Sequence, residues 1–509
     1  MPQSASANLF NLIAARAPKP EKLALETFDA TALTYGQLFE RSARAANALV
    51  ASGVEPGDRV AAQVDKSTDM IVVALACFRA GAVLLPLNTA YTLAELEYFL
   101  ADAGPALTLV RPESLDHVRA LARRVGLAAV ESLGAAHEGD FAERIAAAPV
   151  EFETVPRTGD DLAAILYTSG TTGRSKGAML THDNLATNAL TLIDCWRFTS
   201  DDRLIHALPV FHTHGLFVAV NVALLSGATM IYQKRFDPEA VIAALPNATS
   251  LMGVPTFYTR LLDHPGLTRE VCATMRLFVS GSAPLLAETH DKWRERTGHA
   301  ILERYGMTET NMISSNPYDG ERRAGTVGFA LPGVSIRIGD PDTGARASAG
   351  DIGVIEVKGP NVFRGYWRMP EKTAQEFRAD GFFITGDLGR FDTDGYLHIV
   401  GRAKDVVISG GFNVYPKEVE SEIDAIDGVL ESAVFGVPHA DLGEGVTAVV
   451  VLNRGAHLTE AAILSAIAGR VAKFKAPRRV LVVESLPRNA MGKVQKAALR
   501  DAFKEVFGS

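Results

Sequence analysis

Residues 161–180 read "DLAAILYTSGTTGRSKGAML". Asp161 to Tyr167 form an apolar run of strand length. The eleven residues from Tyr167 to Gly177 hold three glycines, five Ser/Thr hydroxyls and two cations. Such a concentration directly after a buried strand describes a loop that receives an anion. Gly170, Gly173 and Gly177 let backbone N–H groups approach it closely. Thr168, Ser169, Thr171 and Thr172 add hydroxyl donors, and Lys176 reaches a terminal phosphate as a point charge. A Walker A loop requires G-x-x-x-x-G-K-[ST]. Here Ser175 precedes Lys176 and Gly177 follows it, so this is a nucleotide phosphate loop of another kind. A plain surface turn is the competing reading.

Working outward, "GAMLTHDNLATNALTLI" predicts a short strand and then a helix capped at Thr181 or Asp183. Upstream, "YGQLFERSARAANALVASG" reads as a helix stopped by Gly53, "DRVAAQV" as a strand, "DMIVVALACFRAG" as a buried helix and "AVLLPL" as a strand. "TLAELEYFLADAG" is a further helix with Thr92 as N-cap and Glu95 completing a capping box. Strands separated by helices imply parallel α/β sheets, and the pattern continues through residues 160–310. From about 325 to 400 the texture changes: "VSIRI", "GVIEVKG" and "GYLHIVG" lie between Gly and Pro turns, predicting a small barrel-like β unit. A new α/β segment follows Gly401. At the N-terminus, Leu9, Phe10, Leu12 and Ile13 share one face of a helix expected to end before Pro18; a transit peptide is the weaker reading.

The 509 residues exceed one ordinary core, so two or more domains are expected. A net charge of −8 argues against nucleic acid as a partner. The three cysteines, Cys77, Cys195 and Cys272, are isolated and odd in number, which suits a reducing, cytoplasmic setting without disulfides. No apolar run reaches the length of a membrane span.

Three further segments are dense in polar residues. In "ERYGMTETN" (303–311), Tyr305 can stack on a purine, Thr308 can bond a phosphate oxygen and Glu309 can hold Mg²⁺; helix capping would also explain the last two. In "GFFITGDLGRFDTDGYLHIVGRAKDVVISGGFNVYPKEVE" (381–420), Asp387 suits a ribose diol and Arg402 ribose or phosphate; a turn residue and a surface ion pair are the alternatives. In "PRNAMGKVQK" (487–496), Lys493 sits on a Gly-containing turn, and taken alone it reads as a surface charge.

In this order the segments resemble the acyl-adenylate-forming superfamily of acyl-CoA synthetases, peptide synthetase adenylation domains and firefly luciferases. The resemblance runs from about Leu33 to Lys496. It implies a large N-terminal domain (1–401) of two α/β units plus a small β-barrel, and a small mobile α/β C-terminal domain (402–509). It also implies ATP, Mg²⁺ and CoA as substrates. Residues 168–176 become the phosphate loop, Tyr305 lies beside adenine, Thr308 and Glu309 serve phosphate and Mg²⁺, and Asp387 and Arg402 bind ribose. Lys493 becomes the catalytic lysine of adenylation, Lys404 the hinge, and "SGGFNVYP", with Gly410, Gly411 and Phe412, the lining of the pantetheine channel.

Within the superfamily, "HALPVFHTHGLF", "MIYQKRFDPE", "MGVPTFYTRLL", "RLFVSGSAPLL" and "ERYGMTETNM" resemble malonyl-CoA synthetases. A dicarboxylate has one end to react and one charge to bury, and that charge needs a cation. Arg235, after the apolar strand "ATMIYQ", is the expected ligand of the distal carboxylate; a salt bridge to Asp237 or Glu239 is the alternative, and Arg276 and Arg304 are the rivals. Thr213, Ser282 and Met307 are expected to line a short pocket with His212 and His214 at its entrance. No acidic or cysteine cluster completes a metal site at the His-x-His pair. The run "KFKAPRRV" (473–480) suits CoA phosphates or a solvated face equally. The expected reaction is malonyl-CoA formation through malonyl-adenylate, with methylmalonate as a further acid and no obligatory protein or membrane partner. Alternatives are a ligase for another short or an aromatic acid, a carrier-loading adenylation enzyme, and a nucleotide-binding scaffold. A carrier-loading enzyme usually has an Asp where this chain has His212.

Overall fold

The computed structural model describes residues 7–27, 32–127, 129–168, 175–340, 344–348, 350–489 and 492–508. Two α/β units carry the N-terminal part. In the first, parallel strands Val83–Pro86, Arg59–Gln63, Leu107–Val110 and Val130–Ser132 continue a seven-stranded sheet whose other side is the hairpin Leu162–Thr168 and Lys176–Thr181. Helix Thr68–Ala80 packs between layers and is buried on every side, as its all-round apolar sequence predicts. The helix Tyr35–Ala51 ends before Gly53, which is left-handed at φ +85°. The capping box expected at Thr92 and Glu95 is present: the Thr92 N–H donates to Glu95 Oε2 at 2.8 Å.

The second unit is a nine-stranded sheet. Its parallel centre runs Leu302–Met307, Leu277–Ser280, Ser250–Gly253, Arg203–His206 and Thr229–Tyr232. Helix Leu9–Arg16 packs on the N-terminal core through Leu9, Phe10 and Ile13 and ends before Pro18. The barrel-like unit is a four-stranded antiparallel sheet of Ser335–Gly339, Gly353–Lys358, Phe383–Phe391 and Leu397–Arg402.

A short turn, Ala403–Asp405, leads to a separate five-stranded sheet built on the long pair Val429–His439 and Gly443–Leu452, with its own apolar clusters. Among the described residues no helix is long and apolar enough to cross a membrane.

Candidate active site

The segment expected to receive phosphate joins two strands rather than a strand and a helix. Thr168 ends one strand, Lys176 begins the next, and the two are direct partners across the hairpin. That connection explains why the Walker A spacing is absent. Helix His182–Trp196 begins only after the second strand, capped by Thr181. Ser169, Gly170, Thr171, Thr172 and Gly173 lie outside the described residues. The Tyr98 hydroxyl donates to the Ser175 carbonyl at 2.7 Å and ties the far end of the loop to helix Leu93–Ala103.

Lys176 Nζ lies 2.9 Å from Glu376 Oε1 and 4.1 Å from the centre of the Tyr366 ring. The Tyr366 hydroxyl is 2.7 Å from Glu376 Oε2 and 3.1 Å from Glu309 Oε1. Thr168 Oγ1 is 3.4 Å from the same Glu309 oxygen. Glu309 is 5% exposed, and burial raises its pKa. Lys176 and Glu309, distant in sequence, thus belong to one cluster. Its other members, Tyr366 and Glu376, come from "GYWRMPEKTAQEF", where sequence reasoning found no signal.

Asp387 accepts from the Tyr305 hydroxyl at 2.6 Å and forms an ion pair with Arg402 Nε at 2.8 Å. Asp387 and Arg402 face each other directly across two strands, which puts their side chains on one face. Asp387 raises the pKa of Arg402, whereas burial and then Asp387 raise that of Tyr305. Thr308 stands in a tight turn between strands Leu302–Met307 and Asn311–Ser315. No helix begins there, so the capping explanation of Thr308 and Glu309 falls away.

Lys493 arrives from the C-terminal sheet's side. Its turn is closed by Asn489 N–H to Lys493 O and Lys493 N–H to Asn489 Oδ1, both 3.0 Å. Gly492 abuts helix Pro255–Leu262: a Cβ there would lie 3.4 Å from Thr256 Oγ1. Lys493 is accessible to solvent. Surrounding protein, then Arg402, lower its pKa, with Asp387, Glu309 and Arg304 as further charged neighbours. Lys404 is exposed in the turn after Arg402. Gly410 and Gly411, at φ +59° and +81°, form the two-residue turn of the hairpin Val407–Ser409 and Phe412–Val414. Phe412 is 57% exposed against Phe474, so in this arrangement the hairpin tip is in solvent while Lys493 has Arg402, Asp387, Glu309 and Arg304 as charged neighbours.

The remaining cluster is buried and polar. Arg304 is 3% exposed, and its Nε and Nη2 have no hydrogen-bond partner among the described residues. Gly281 makes room for it, since a Cβ there would fall 2.4 Å from the guanidinium carbon. Burial lowers the Arg304 pKa to about 9. Ser282, left-handed at φ +71°, places Oγ 3.2 Å from His214 Nδ1. His212 and His214 are neutral: burial, followed by the cationic neighbours Lys493 and Arg304 at His212 and Arg304 at His214, drives both pKa values down, that of His212 to about 3. Thr213 Oγ1, His214 Nε2 and Ser280 Oγ are also buried without partners among the described residues.

Three expectations are corrected here. Arg235 is exposed rather than enclosed. Its strand ends at Tyr232, and Gln233 takes the last buried position, which carries Lys234 and Arg235 onto the surface. The alternative salt bridge is also absent among the described residues: Asp237 caps helix Pro238–Ala244 and Glu239 pairs with His264 at 2.8 Å. His214 is no entrance residue, being 1% exposed, while His212 is partly buried. Arg276 drops out as a rival because Asp202 binds it at both Nε and Nη2, each at 2.7 Å. Met307 is partly buried and ends the strand that carries Arg304.

Residues 13–367 match the AMP-binding enzyme family, and 418–493 match the AMP-binding enzyme C-terminal domain. The crystal structure of ATP-bound MatB from Rhodopseudomonas palustris is 60% identical, covers 99% of this chain and 100% of its own, and superposes with a TM-score of 0.97. Apo MatB, equally identical and equally covered, superposes with 0.86, so the present arrangement is nearer to the ATP-bound one. Feruloyl-CoA synthase from Amycolatopsis is 38% identical over 93% of this chain and 94% of its own length. The mouse mitochondrial malonate–CoA ligase ACSF3 is 37% identical over 94% and 87% respectively.

Proposed function

The chain belongs to the AMP-binding enzyme family, and on that premise we propose that it joins malonate to CoA. The class, an AMP-forming acid–thiol ligase using ATP, Mg²⁺ and CoA, follows from the family and the relatives. The acid is inferred from one observation: Arg304 is a buried guanidinium with two unpartnered nitrogens, grouped with His214, Ser282 and Gly281 and close to Lys493. An isolated buried charge costs several kcal/mol, and a second carboxylate on the acid removes that cost. Because His212 and His214 are neutral, Arg304 is the cation for one distal carboxylate. Thr213, Ser282, His214 and Met307 are proposed to line the pocket, with His212 toward Lys493. The malonate–CoA ligase relative supports this choice. The feruloyl-CoA synthase relative supports an aromatic acid instead. Against that stand Thr213, Ser280 and Arg304, whose polar atoms a ring would bury without partners.

For the nucleotide, we assign phosphates to Thr168, Lys176 and the intervening loop, ribose to Asp387 and Arg402, adenine to Tyr305, and a phosphate oxygen to Thr308. Glu309 fits Mg²⁺: it is a buried carboxylate, a hard oxygen donor, that meets Thr168 Oγ1 at 3.4 Å and has Lys176 as a charged neighbour at the end of the proposed phosphate loop. Bound there, the ion would neutralise phosphate charge. In the first step a carboxylate oxygen bonds to the α-phosphorus as the bond to pyrophosphate breaks. Lys493 is assigned to the charge gathering on the phosphoryl oxygens. In the second, the CoA sulfur bonds to the acyl carbon, AMP leaves, and the thiol proton passes to solvent. Division of the chain at residue 401, with Lys404 as hinge, lets Lys493 withdraw and the Gly410–Gly411–Phe412 hairpin take its place. The scheme requires no macromolecular partner.

The test is AMP release with malonate, methylmalonate, acetate and ferulate, in wild type, Arg304→Met and Arg235→Ala. A site built on a buried polar partner rejects analogues lacking it by about 10⁴–10⁵. Malonate should therefore lead, methylmalonate should follow within about 10–200-fold, the usual range for one added carbon, and acetate and ferulate should be very poor. Arg304→Met should lose most malonate turnover with ATP affinity retained, and Arg235→Ala should cost less. Wild-type turnover of acetate or ferulate equal to malonate rejects the dicarboxylate reading. Loss with Arg235→Ala but not with Arg304→Met returns the role to Arg235.

A further inference from the structure

Lys66 lies in the loop between strand Arg59–Gln63 and helix Thr68–Ala80, in the first α/β unit. Its ammonium nevertheless crosses to the second unit. Nζ is 2.8 Å from the His206 carbonyl, 3.0 Å from His206 Nδ1 and 4.5 Å from the centre of the Tyr232 ring. No carboxylate pairs with it among the described residues. On the other side of the imidazole, His206 Nε2 is 2.8 Å from the Gly215 carbonyl. A carbonyl oxygen only accepts, so Nε2 carries the proton. His206 is kept neutral by burial and then by Lys66, with its pKa lowered to about 3, so Nδ1 is an acceptor. Lys66 is then the donor to Nδ1, whether its amine is charged or not.

The receiving carbonyl belongs to the first turn of the π-helical segment His214–Val220. That turn has little freedom: a Cβ on Gly215 would sit 2.0 Å from the Pro209 carbonyl oxygen. Directly before Gly215 stands His214, which meets Ser282 at 3.2 Å and is charge-coupled to Arg304. π-helical turns are rare and recur at functional sites, and here one carbonyl of the turn is engaged by His206. We propose that Lys66 is a positioning residue for the acid pocket, acting through His206 and the Gly215 carbonyl to set where His214 stands beside Arg304. This inference rests on the assignment of that pocket to the acid.

The experiment measures KM and kcat for acid and for ATP separately, with thermal midpoints, in Lys66→Met, His206→Gln and His206→Leu. A glutamine spans the same gap as the imidazole, its oxygen facing Lys66 and its amide facing Gly215. Lys66→Met and His206→Leu should raise the malonate KM by about tenfold, the scale of one lost buried hydrogen bond, while the ATP KM stays within about twofold. His206→Gln should behave nearly as wild type. Acid and ATP constants worsening together with a fall in thermal midpoint mean a structural role only and overturn the proposal, as does a malonate KM unchanged in both Lys66→Met and His206→Leu. If Lys66→Met fails to fold, the Gln–Leu contrast at His206 decides alone. If the wild type uses another acid, that appears before any Lys66 variant is made, and the same comparison run with that acid still tests the relay.

Discussion

Glu376 is expected to compete with ATP for Lys176, and its charge can be removed with little change of shape. The pair stands at 2.9 Å with side chains 16% and 20% exposed. At an effective dielectric of about 20, the gross attraction at that separation is about 6 kcal/mol. Residual hydration and the alternative partner Lys372, 3.0 Å from the same oxygen, reduce the net to about 1–2 kcal/mol. Hydrogen bonds from Lys176 and Tyr366 outweigh burial and hold the Glu376 pKa below its ordinary value, so the carboxylate is charged at neutral pH. A triphosphate reaching Lys176 must displace that carboxylate or approach a lysine already neutralised. Glu376→Gln keeps a hydrogen-bond partner for Tyr366 and removes the competing charge. ATP affinity should then rise about 5–30-fold, the equivalent of 1–2 kcal/mol, and pyrophosphate should become a stronger product inhibitor by a similar factor. The assay is calorimetric ATP titration without acid, together with the inhibition constant of pyrophosphate in steady state. Affinity that is unchanged, or that falls, refutes the competition and shows instead that Glu376 positions Lys176 for the nucleotide.

Lys493→Ala should remove adenylate formation by about 10²–10³ or more while sparing thioester formation from preformed malonyl-AMP; equal loss in both half-reactions sinks the assignment. Lys404→Pro fixes φ at the turn after Arg402, so one half-reaction should survive near normal while the other collapses; two normal rates mean that the domain does not turn there. Glu303 offers a stability test. It is 6% exposed, and burial raises its pKa from 4.5 to about 8. Between those values the folded state holds a proton that the unfolded state has lost, so stability falls as pH rises through the window. Glu303→Gln should therefore raise the thermal midpoint at pH 8.5 and leave it nearly unchanged at pH 4.5, and an equal gain at both values would argue against the linkage.

What the sequence discloses and what it withholds divide along a physical line. The loop after Tyr167 and the turn at Thr308 and Glu309 place specialised residues at strand ends, and the Gly-flanked Asp387 lies mid-strand; local spacing marks each as a candidate, and the family resemblance supplies the ligand. Capping follows the same rule, since Thr92 and Glu95 need only each other. Burial of a particular cation is not local. Arg235 follows an apolar strand and reads as enclosed, yet Gln233 takes the last inward position and leaves it outside. Arg304 sits between Glu303 and Tyr305 in a strand covered on both faces, so period-two alternation gives no face to solvent and no hint of which charge lacks a partner. Its space is created by Gly281 at the neighbouring strand's end, and its Nε and Nη2 find no hydrogen-bond partner among the described residues. Lys66 and Glu376 escape for the same reason: each is explained by a partner in a different segment, His206 for one and Lys176 for the other. The cluster around Arg304, at the strand ends of the second unit, is therefore readable in its residue types but not in its charges, and under the proposed function the charges decide which acid it takes.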